Sequence, residues 1–135
     1  MNREIKFRGI REEYNSVYHD SVFKYGNLLN TNSIGEVGHD LTHYEYAKVN
    51  PETVGQYTGL KDKNGKEIYE GDITDEGEVV FHTEYLGFFV KENREEEYKP
   101  LYDFAFLEVI GNIYENPELI TKPWETESVK ESTFA

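Results

Sequence analysis

Residues 56–73, QYTGLKDKNGKEIYEGDI, carry the clearest local structural signal in the chain. Near the centre of this stretch, Asn64-Gly65 separates two short runs that can pair as antiparallel strands. Asn and Gly tolerate the positive φ that both central residues of a type I′ turn require, and this turn matches the twist of paired strands. The pattern therefore predicts a hairpin in which Tyr57–Leu60 faces Glu67–Tyr69 across a type I′ turn.

The composition is that of a chain that folds without covalent cross-links. Its 135 residues include no cysteine, which excludes disulfides, thiolate chemistry, iron–sulfur clusters and the usual structural zinc ribbons. The N-terminus shows no secretory signal, and no stretch approaches the ~20 apolar residues of a membrane span. We therefore expect a cytoplasmic protein without membrane contact, built as one compact domain or as two small lobes that share a core.

The net charge of −13 is concentrated after the hairpin turn. Residues 1–66 carry nine acidic and nine basic side chains, whereas residues 67–98 carry eleven acidic and two basic ones, a local net of −9. Such a field repels nucleic acid, because affinity for phosphate depends on Lys and Arg. The charge predicts no direct binding of nucleic acid, and it suits a basic partner, a cation or simple solubility.

Several blocks of the sequence resemble the YopX family of phage and prophage proteins. YTGLKDKNG at residues 57–65, followed by EIYEGDI at residues 67–73, is similar to the family signature. REIKFR at residues 3–8 is similar to the family opening, NPETV at residues 50–54 to the approach to the signature, and VIGNIYENPEL at residues 109–119 to the close. The resemblance implies a fold and a phage-type genomic setting, and it supplies no catalytic residues.

The hydrophobic pattern predicts a mainly β fold, an SH3-like small barrel or meander of short antiparallel strands. Alternation in Glu4–Ile10 predicts a first strand that buries Ile5 and Phe7. After the hairpin, short aromatic and β-branched runs at Glu78–His82 and Tyr85–Val90 predict further strands of a meander. Glycines at the turns between these runs favour the SH3-like arrangement, and the YopX resemblance implies it as well.

The segment before the hairpin has a weaker pattern. Residues 12–33 show no sustained period, and we interpret Gly26-Asn27 and residues 30–35 as turns or a loop. Residues 41–49 fit a strand or a short helix, and the tyrosines within them favour the strand.

The C-terminal part predicts strands and then one helical turn. Tyr102–Ile113 predicts one or two strands with Phe104 and Phe106 turned inward. Asn116-Pro117 predicts a short C-terminal helical turn that starts with Asn116 as its N-cap. The predicted organisation is one β-rich domain at 1–123, with the signature hairpin at 54–73, and a polar tail at 124–135.

The signature region also contains the best candidate for a functional surface, because it places tyrosines beside acidic side chains. Aromatic side chains give large contact area at low entropic cost, and acidic neighbours suit a partner with basic residues. We therefore predict a non-catalytic phage or prophage accessory protein that binds a host or phage protein, or a second copy of itself. The predicted contact residues are Tyr57, Thr58, Asp62, Glu67, Tyr69, Glu70, Asp72 and Tyr85. The residues assigned to turns are Asn64, Gly65 and Gly71.

Other functions remain as alternatives. The charge of residues 67–98 fits an acidic decoy that occupies the nucleic-acid-binding site of a host protein. A metal-dependent hydrolase would use His39 and His43, which share a face on a helix but lie ~13 Å apart on a strand. Calcium binding at Asp62 is disfavoured because the EF-hand positions of Gly and Glu are not matched. We predict no cofactor and no catalytic residue.

Overall fold

The computed structural model of the chain describes residues 4–17, 21–37, 44–92, 97–104 and 106–120. The chain divides into two compact units, Met1–Gly59 and Leu60–Ala135. The boundary falls inside the strand that enters the signature hairpin, within the segment that the sequence assigns to a single domain.

The first unit is an antiparallel sheet. Its strands are β1 (Phe7–Ile10), β2 (Phe23–Asn30), β3 (Ser33–Val37), β4 (Tyr44–Lys48) and β5 (Gly55–Lys61), of which β5 ends in the second unit. The strand order is β4-β3-β2-β1-β5. The buried apolar residues of this unit include Phe23, Ile34, Val49 and Tyr57. A 3-10 turn, Pro51–Thr53, connects β4 to β5.

The first strand differs from its prediction at the inward position. The strand begins only at Phe7, and Ile5 is 61% exposed. Arg8 is buried instead, with its guanidinium carbon 4.3 Å from the centre of the Phe23 ring. An arginine can take such a position because its planar charged group stacks on an aromatic face. A polar-apolar alternation that counts arginine as an outward residue therefore assigns the wrong face.

Two predicted loops are strands. Gly26 lies within β2, and β3 pairs with it, so that only Thr31 and Asn32 form the turn between these strands. A Cβ at Gly26 would lie 2.9 Å from the Gly35 carbonyl oxygen, so this glycine permits a close approach of two backbones. The strand prediction for residues 41–49 is confirmed by β4, while residues 41–43 lie outside the described part.

The second unit contains a five-stranded antiparallel sheet. Its strands after the hairpin strand β6 (Glu67–Tyr69) are β7 (Asp72–Thr74), β8 (Gly77–His82), β9 (Gly87–Lys91), β10 (Tyr98–Pro100) and β11 (Val109–Asn112). The order is β10-β9-β8-β7-β11. Val79 of β8 pairs with Val90 of β9, and both are fully buried. They form one core with Ile68, Leu101 and Leu107.

The predicted mainly β meander of short antiparallel strands is confirmed. The strands form open sheets, and in the described part of the chain they do not close into a barrel. The described helical elements are 3-10 turns of three residues, Pro51–Thr53, Leu101–Asp103 and Pro117–Leu119. None of them has the length or the apolar character needed to cross a membrane.

The C-terminal prediction is correct for one strand, the helical turn and its N-cap residue, but wrong for Phe106. Phe106 is 80% exposed, because residues 101–104 and 106–108 form a 3-10 turn and loop segments rather than a strand. Asn116 occupies the N-cap position of the final turn, as predicted, but its side chain makes no capping hydrogen bond. Its side-chain oxygen instead accepts a hydrogen bond from the Asn112 N–H at 3.2 Å, which joins the end of β11 to the final turn.

Candidate functional site

The signature hairpin closes on Asp62, a buried carboxylate that accepts three backbone hydrogen bonds. One oxygen, Oδ1, accepts from the N–H groups of Asn64 and Lys66, both at 2.9 Å. The other, Oδ2, accepts from the N–H of Val109 at 3.0 Å. In the same place, the Lys63 N–H donates to the Leu107 carbonyl at 2.9 Å. Asp62 thus ties the hairpin turn to the start of β11.

The hydrogen bonds to Asp62 help to lower its pKa by more than its burial raises it. Burial alone would raise the pKa of Asp62, but the N–H groups of Val109, Lys66 and Asn64 and the charge of Lys66 favour the carboxylate. The pKa of Asp62 therefore lies below its ordinary value. A carboxylate held in this way is a structural acceptor, because these hydrogen bonds come from the backbone of its own chain.

The predicted hairpin is confirmed, but its turn is of a different type. Gly65 has a φ of 83°, whereas Asn64 does not have the positive φ that a type I′ turn requires. The Gly65 N–H donates to the Asp62 carbonyl at 3.0 Å, and the Asp62 N–H donates to the Lys66 carbonyl at 2.8 Å. This is the pattern of a three-residue loop with glycine at a left-handed bulge position. The Asp62 side chain favours it because it binds the N–H groups of the loop.

Gly71 forms the second predicted turn of the signature. Its φ is 92°, and it lies between β6 and β7. Its N–H donates to the Val79 carbonyl, and its carbonyl accepts from the Ile113 N–H, both at 2.9 Å. The Tyr69 N–H, on the other side of the turn, donates to the Asp72 carboxylate at 2.8 Å. The reversal at Glu70-Gly71 therefore connects β6, β8 and the residue after β11.

The structure gives most of the predicted contact residues a place in the interior. Five of the eight are buried, the two glutamates are half-buried, and Tyr85 is 66% exposed. The buried residues are Tyr57, Thr58, Asp62, Tyr69 and Asp72, and the half-buried ones are Glu67 and Glu70. A buried side chain offers little surface to a partner, so among the predicted contact residues Tyr85, Glu67 and Glu70 keep the most accessible surface. The sequence could not show this, because Tyr and Asp are common both in turns and at surfaces.

Tyr85, the one exposed member of that set, belongs to an aromatic cluster on the face of the second sheet opposite its core. The aromatic cluster consists of His82, Tyr85, Phe89 and Tyr98. The His82 ring centre lies 4.5 Å from that of Tyr85, at an interplanar angle of 34°, and 4.8 Å from that of Tyr98, at 84°. Phe89 lies 5.8 Å from His82 and 5.6 Å from Tyr85. The histidine is therefore in contact with three aromatic rings.

Strand alternation places this cluster on the face opposite the core. Val79 and Val90 point into the core, so His82, three residues after Val79, and Phe89, next to Val90, point outward. Tyr98 at the start of β10 extends the same face and is 39% exposed. The cluster therefore keeps accessible aromatic surface although its rings are ordered by mutual contact.

The loop that carries Tyr85 is a tight reversal. Residues 83–86 connect β8 to β9, and all four are exposed. Leu86 has a φ of 51°, and it is the one described residue other than glycine with a positive φ. Leucine rarely adopts this conformation. The Leu86 side chain is 79% exposed, so the loop presents two neighbouring apolar side chains to solvent.

His82 is held by ring packing. Its Nδ1 atom is buried and has no hydrogen-bond partner among the described residues. Two exposed carboxylates, Glu84 and Glu97, adjoin Tyr85 and Tyr98 in the sequence. Sequence reasoning missed His82, Phe89 and Tyr98, although the density of aromatic residues between positions 81 and 89 was a usable signal.

The metal-dependent hydrolase alternative depends on two histidines. His39 and His43, the residues of the metal-dependent alternative, lie outside the described residues. Within the described ranges no three His, Asp or Glu side chains come together as a metal site.

Glu78 of β8 has a raised pKa, because its partial burial outweighs the opposing effect of Lys91. Lys91 is the register partner of Glu78 on β9.

Comparison with known proteins supports the resemblance noted in the sequence. The family model described as YopX protein matches residues 6–121. The chain belongs to the YopX protein family. The match covers all of β1 to β11, so both units of the chain are part of this YopX family region.

The comparisons do not add an activity to the YopX family assignment. No curated protein matches the chain. Among solved structures, the crystal structure of protein EF1440 from Enterococcus faecalis is similar, with 20% sequence identity and a TM-score of 0.45. That similarity covers 89% of this chain and 100% of the EF1440 chain.

Proposed function

We propose that this YopX family chain is a non-catalytic accessory protein, of phage or prophage type, that binds a protein partner through the aromatic cluster. The observation that supports the proposal is the exposure of Tyr85 and Tyr98, at 66% and 39%, while both rings pack on His82. Rings that are already ordered lose little conformational freedom when a partner covers them. This makes the aromatic cluster a better binding surface than the buried tyrosines of the signature hairpin.

The charge of the same region favours a basic partner, and we propose that the two proteins meet in the bacterial cytoplasm. Residues 67–98, which contain the whole cluster, carry a net charge of −9. Opposite charges across an interface raise the association rate and suppress wrong partners. The same charge disfavours direct contact with nucleic acid.

Self-association is a second part of the proposal, through a different surface. Two copies of the acidic second unit repel each other, whereas residues 1–66 carry balanced charges. In the first sheet β4 is the outermost strand on its side, and an outermost strand can pair with a second copy. Sedimentation equilibrium over a range of protein concentrations tests this part, and a monomer at every concentration would contradict it.

The test of partner binding is an affinity capture from host lysate with the full chain as bait, followed by mass spectrometry. A Tyr85→Ala, Tyr98→Ala bait should lose the partner, because both changes remove exposed aromatic area without opening the core. Tyr102→Ala is the matched control, since Tyr102 is 78% exposed on the second unit and lies outside the cluster. Loss of the partner from the control bait, or its retention on the double variant, would contradict the site assignment.

The decoy function is a second candidate, favoured by the −9 charge of residues 67–98. A decoy would bind a host protein at the site that otherwise holds nucleic acid. Duplex DNA should then displace the captured protein, and binding should weaken steeply as salt is raised. A captured protein that stays bound in the presence of excess duplex DNA would exclude the decoy and leave the first function in place.

A further inference from the structure

We propose that the aromatic cluster holds an arginine side chain of the partner. The proposal rests on the proposed function, because it names the group that a protein partner would insert at the same site. Three features of the second unit support it. They are the arrangement of the rings, the negative charge of the region, and the acidic neighbours that two lysines of the same strands already have.

The rings present aromatic surface in more than one orientation. Tyr85 is tilted by 34° relative to His82, while Tyr98 meets His82 edge-on at 84°. A cation is attracted to the face of an aromatic ring, and several faces around one point strengthen this attraction. Tyr85 and Tyr98 both pack on His82 and are 66% and 39% exposed, so both rings keep aromatic surface that a cation could reach.

The residues that precede Tyr85 and Tyr98 in the sequence carry the negative charge that attracts a cation. Glu84 precedes Tyr85 and Glu97 precedes Tyr98, and both carboxylates are exposed. A guanidinium that stacks on a ring can also form hydrogen bonds to a carboxylate, since its five donors lie in the plane of the group. The acidic neighbours therefore favour a cationic occupant over an apolar one.

Two described cations on the strands of the cluster are engaged by carboxylates of their own chain. Lys99 Nζ lies 2.9 Å from Glu92 Oε1, and Lys91 interacts with Glu78. Each of these lysines therefore has a carboxyl group of its own chain as a neighbour. The exposed carboxylates of Glu84 and Glu97, which adjoin Tyr85 and Tyr98 in the sequence, then favour an incoming group of positive charge.

Arginine fits the cluster better than lysine. The guanidinium is planar, stacks on aromatic faces and is less strongly hydrated than an ammonium group. Tyr85 and Tyr98 are partly in water, so the cost of removing water from the cation decides which one binds more tightly. The Arg8–Phe23 pair in the first unit, at 4.3 Å, shows a guanidinium over an aromatic ring within this chain.

The test uses short Gly/Ser peptides with a central Arg-Gly-Arg and the full-length protein. Matched peptides carry Lys-Gly-Lys, which keeps the charge, or citrulline in place of arginine, which keeps the shape and removes the charge. Binding is followed by NMR through the ring resonances of Tyr85, Tyr98 and His82, with Tyr102 as the internal control. The arginine peptide should shift the cluster rings and leave Tyr102 unchanged, and the citrulline peptide should bind at least about fivefold more weakly.

Variants of the rings separate cation–π contact from general attraction to an acidic protein. Tyr85→Leu with Tyr98→Leu keeps apolar bulk but removes the ring faces, and should weaken the arginine peptide about fivefold or more. The Tyr85→Phe, Tyr98→Phe variant keeps both ring faces and should bind the arginine peptide more tightly than the leucine variant does. Equal binding of the arginine and citrulline peptides, equal binding of the lysine and arginine peptides, or unchanged affinity of the leucine variant would overturn the proposal.

The outcomes also separate this inference from the proposed function. A cellular partner that is lost with the alanine variants, together with no response to the arginine peptide, would refute the arginine anchor and leave partner binding intact. A ring-dependent response to the arginine peptide with a partner that is retained by the alanine variants would show that the cluster binds arginine, but it would refute both the partner assignment and an arginine of that partner as the occupant.

Discussion

At the residue scale, Asp62 shows how one side chain can specify a turn. Its two oxygens accept hydrogen bonds from three backbone N–H groups, two within the turn and one from Val109. Backbone N–H groups that lack a partner in the interior are costly, so a single carboxylate satisfies what would otherwise need several acceptors. Asp62 therefore contributes to stability by a specific mechanism, although its position among charged residues suggests a surface role.

Replacing Asp62 with asparagine should destabilise the protein by about 2 kcal/mol, because the amide NH₂ replaces an accepting oxygen and faces an N–H donor. The measurement is the urea midpoint at neutral pH. Asp103→Asn is the control, since Asp103 is exposed. A midpoint for Asp62→Asn equal to that of the control would contradict the assignment.

The stability that Asp62 contributes should also depend on pH. Its pKa in the folded protein is lower than the ordinary value of 3.8, so its contribution is present above that value and is lost as the pH falls through the folded pKa. The stability difference between the natural chain and Asp62→Asn should therefore shrink in strong acid. A difference that stays constant from neutral pH to strong acid would exclude this linkage.

Glu78 should show the opposite dependence, because burial raises its pKa above the ordinary value of 4.5. Stability associated with Glu78 is then greatest below pH 4.5 and is lost as the pH rises through its folded pKa. Glu78→Gln should stabilise the protein at neutral pH, with a gain that disappears in acid. Thermal unfolding at neutral and at acidic pH measures this change in stability. If Glu78→Gln lowered the stability at neutral pH, the favourable interaction with Lys91 would outweigh the cost of burying Glu78.

At the scale of elements, glycines control where the strands of the second unit turn and how closely they approach. Gly65 has a positive φ, and no atom lies within 4 Å of the position that a Cβ would occupy, so its requirement is purely conformational. Gly77 also has a positive φ, of 147°, and a Cβ there would collide with the Lys91 carbonyl. The turn at Gly65 thus depends only on a backbone conformation, whereas the turn at Gly77 depends on a backbone conformation and on close packing.

Gly65→Ala should cost about 1 kcal/mol, the order of the strain that a Cβ meets in the left-handed region. Gly77→Ala should cost clearly more, because strain and collision act together. Asn64→Ala, at an exposed neighbouring position without positive φ, is the control and should be near neutral. Denaturant midpoints of the three variants give the order, and a reversed order of the two glycines would contradict this account.

At the scale of the whole molecule, charge is distributed unevenly along the chain. Residues 67–98 carry a net of −9, whereas residues 1–66 are balanced. Like charges within one unit repel each other and lower its stability, and salt screens this repulsion. The second unit therefore combines a small apolar core with an electrostatic cost that a basic partner would relieve.

The stability of the protein should rise with salt from about 0.01 M to about 1 M NaCl, over which the Debye length falls from about 30 Å to about 3 Å. Glu76→Lys, at an exposed site in the acidic stretch, should raise Tm at low salt by a few °C and reduce the salt effect. Glu13→Lys, exposed in the balanced part, is the control. A Tm that falls with salt, or an equal gain in both variants, would refute this.

The sequence alone determined the hairpin, the meander of short strands after it and the family. These features depend on local chemistry, because Asn-Gly punctuation, period-two alternation and turn glycines each act over a few residues. The sequence also located Gly65 and Gly71 at turns correctly, because only glycine takes a positive φ without strain.

Only the tertiary structure decided which side chains face solvent. Tyr57 and Tyr69 are buried while Tyr85 and Tyr98 are exposed, although all four are tyrosines in charged surroundings. Burial depends on which strand packs on which face, and that is set by contacts between residues distant in the sequence, such as Asp62 with Val109. The aromatic cluster forms because β8, β9 and β10 are neighbours in one sheet. The order of strands in a sheet is not written in any single stretch of the chain, so the sequence did not predict the cluster.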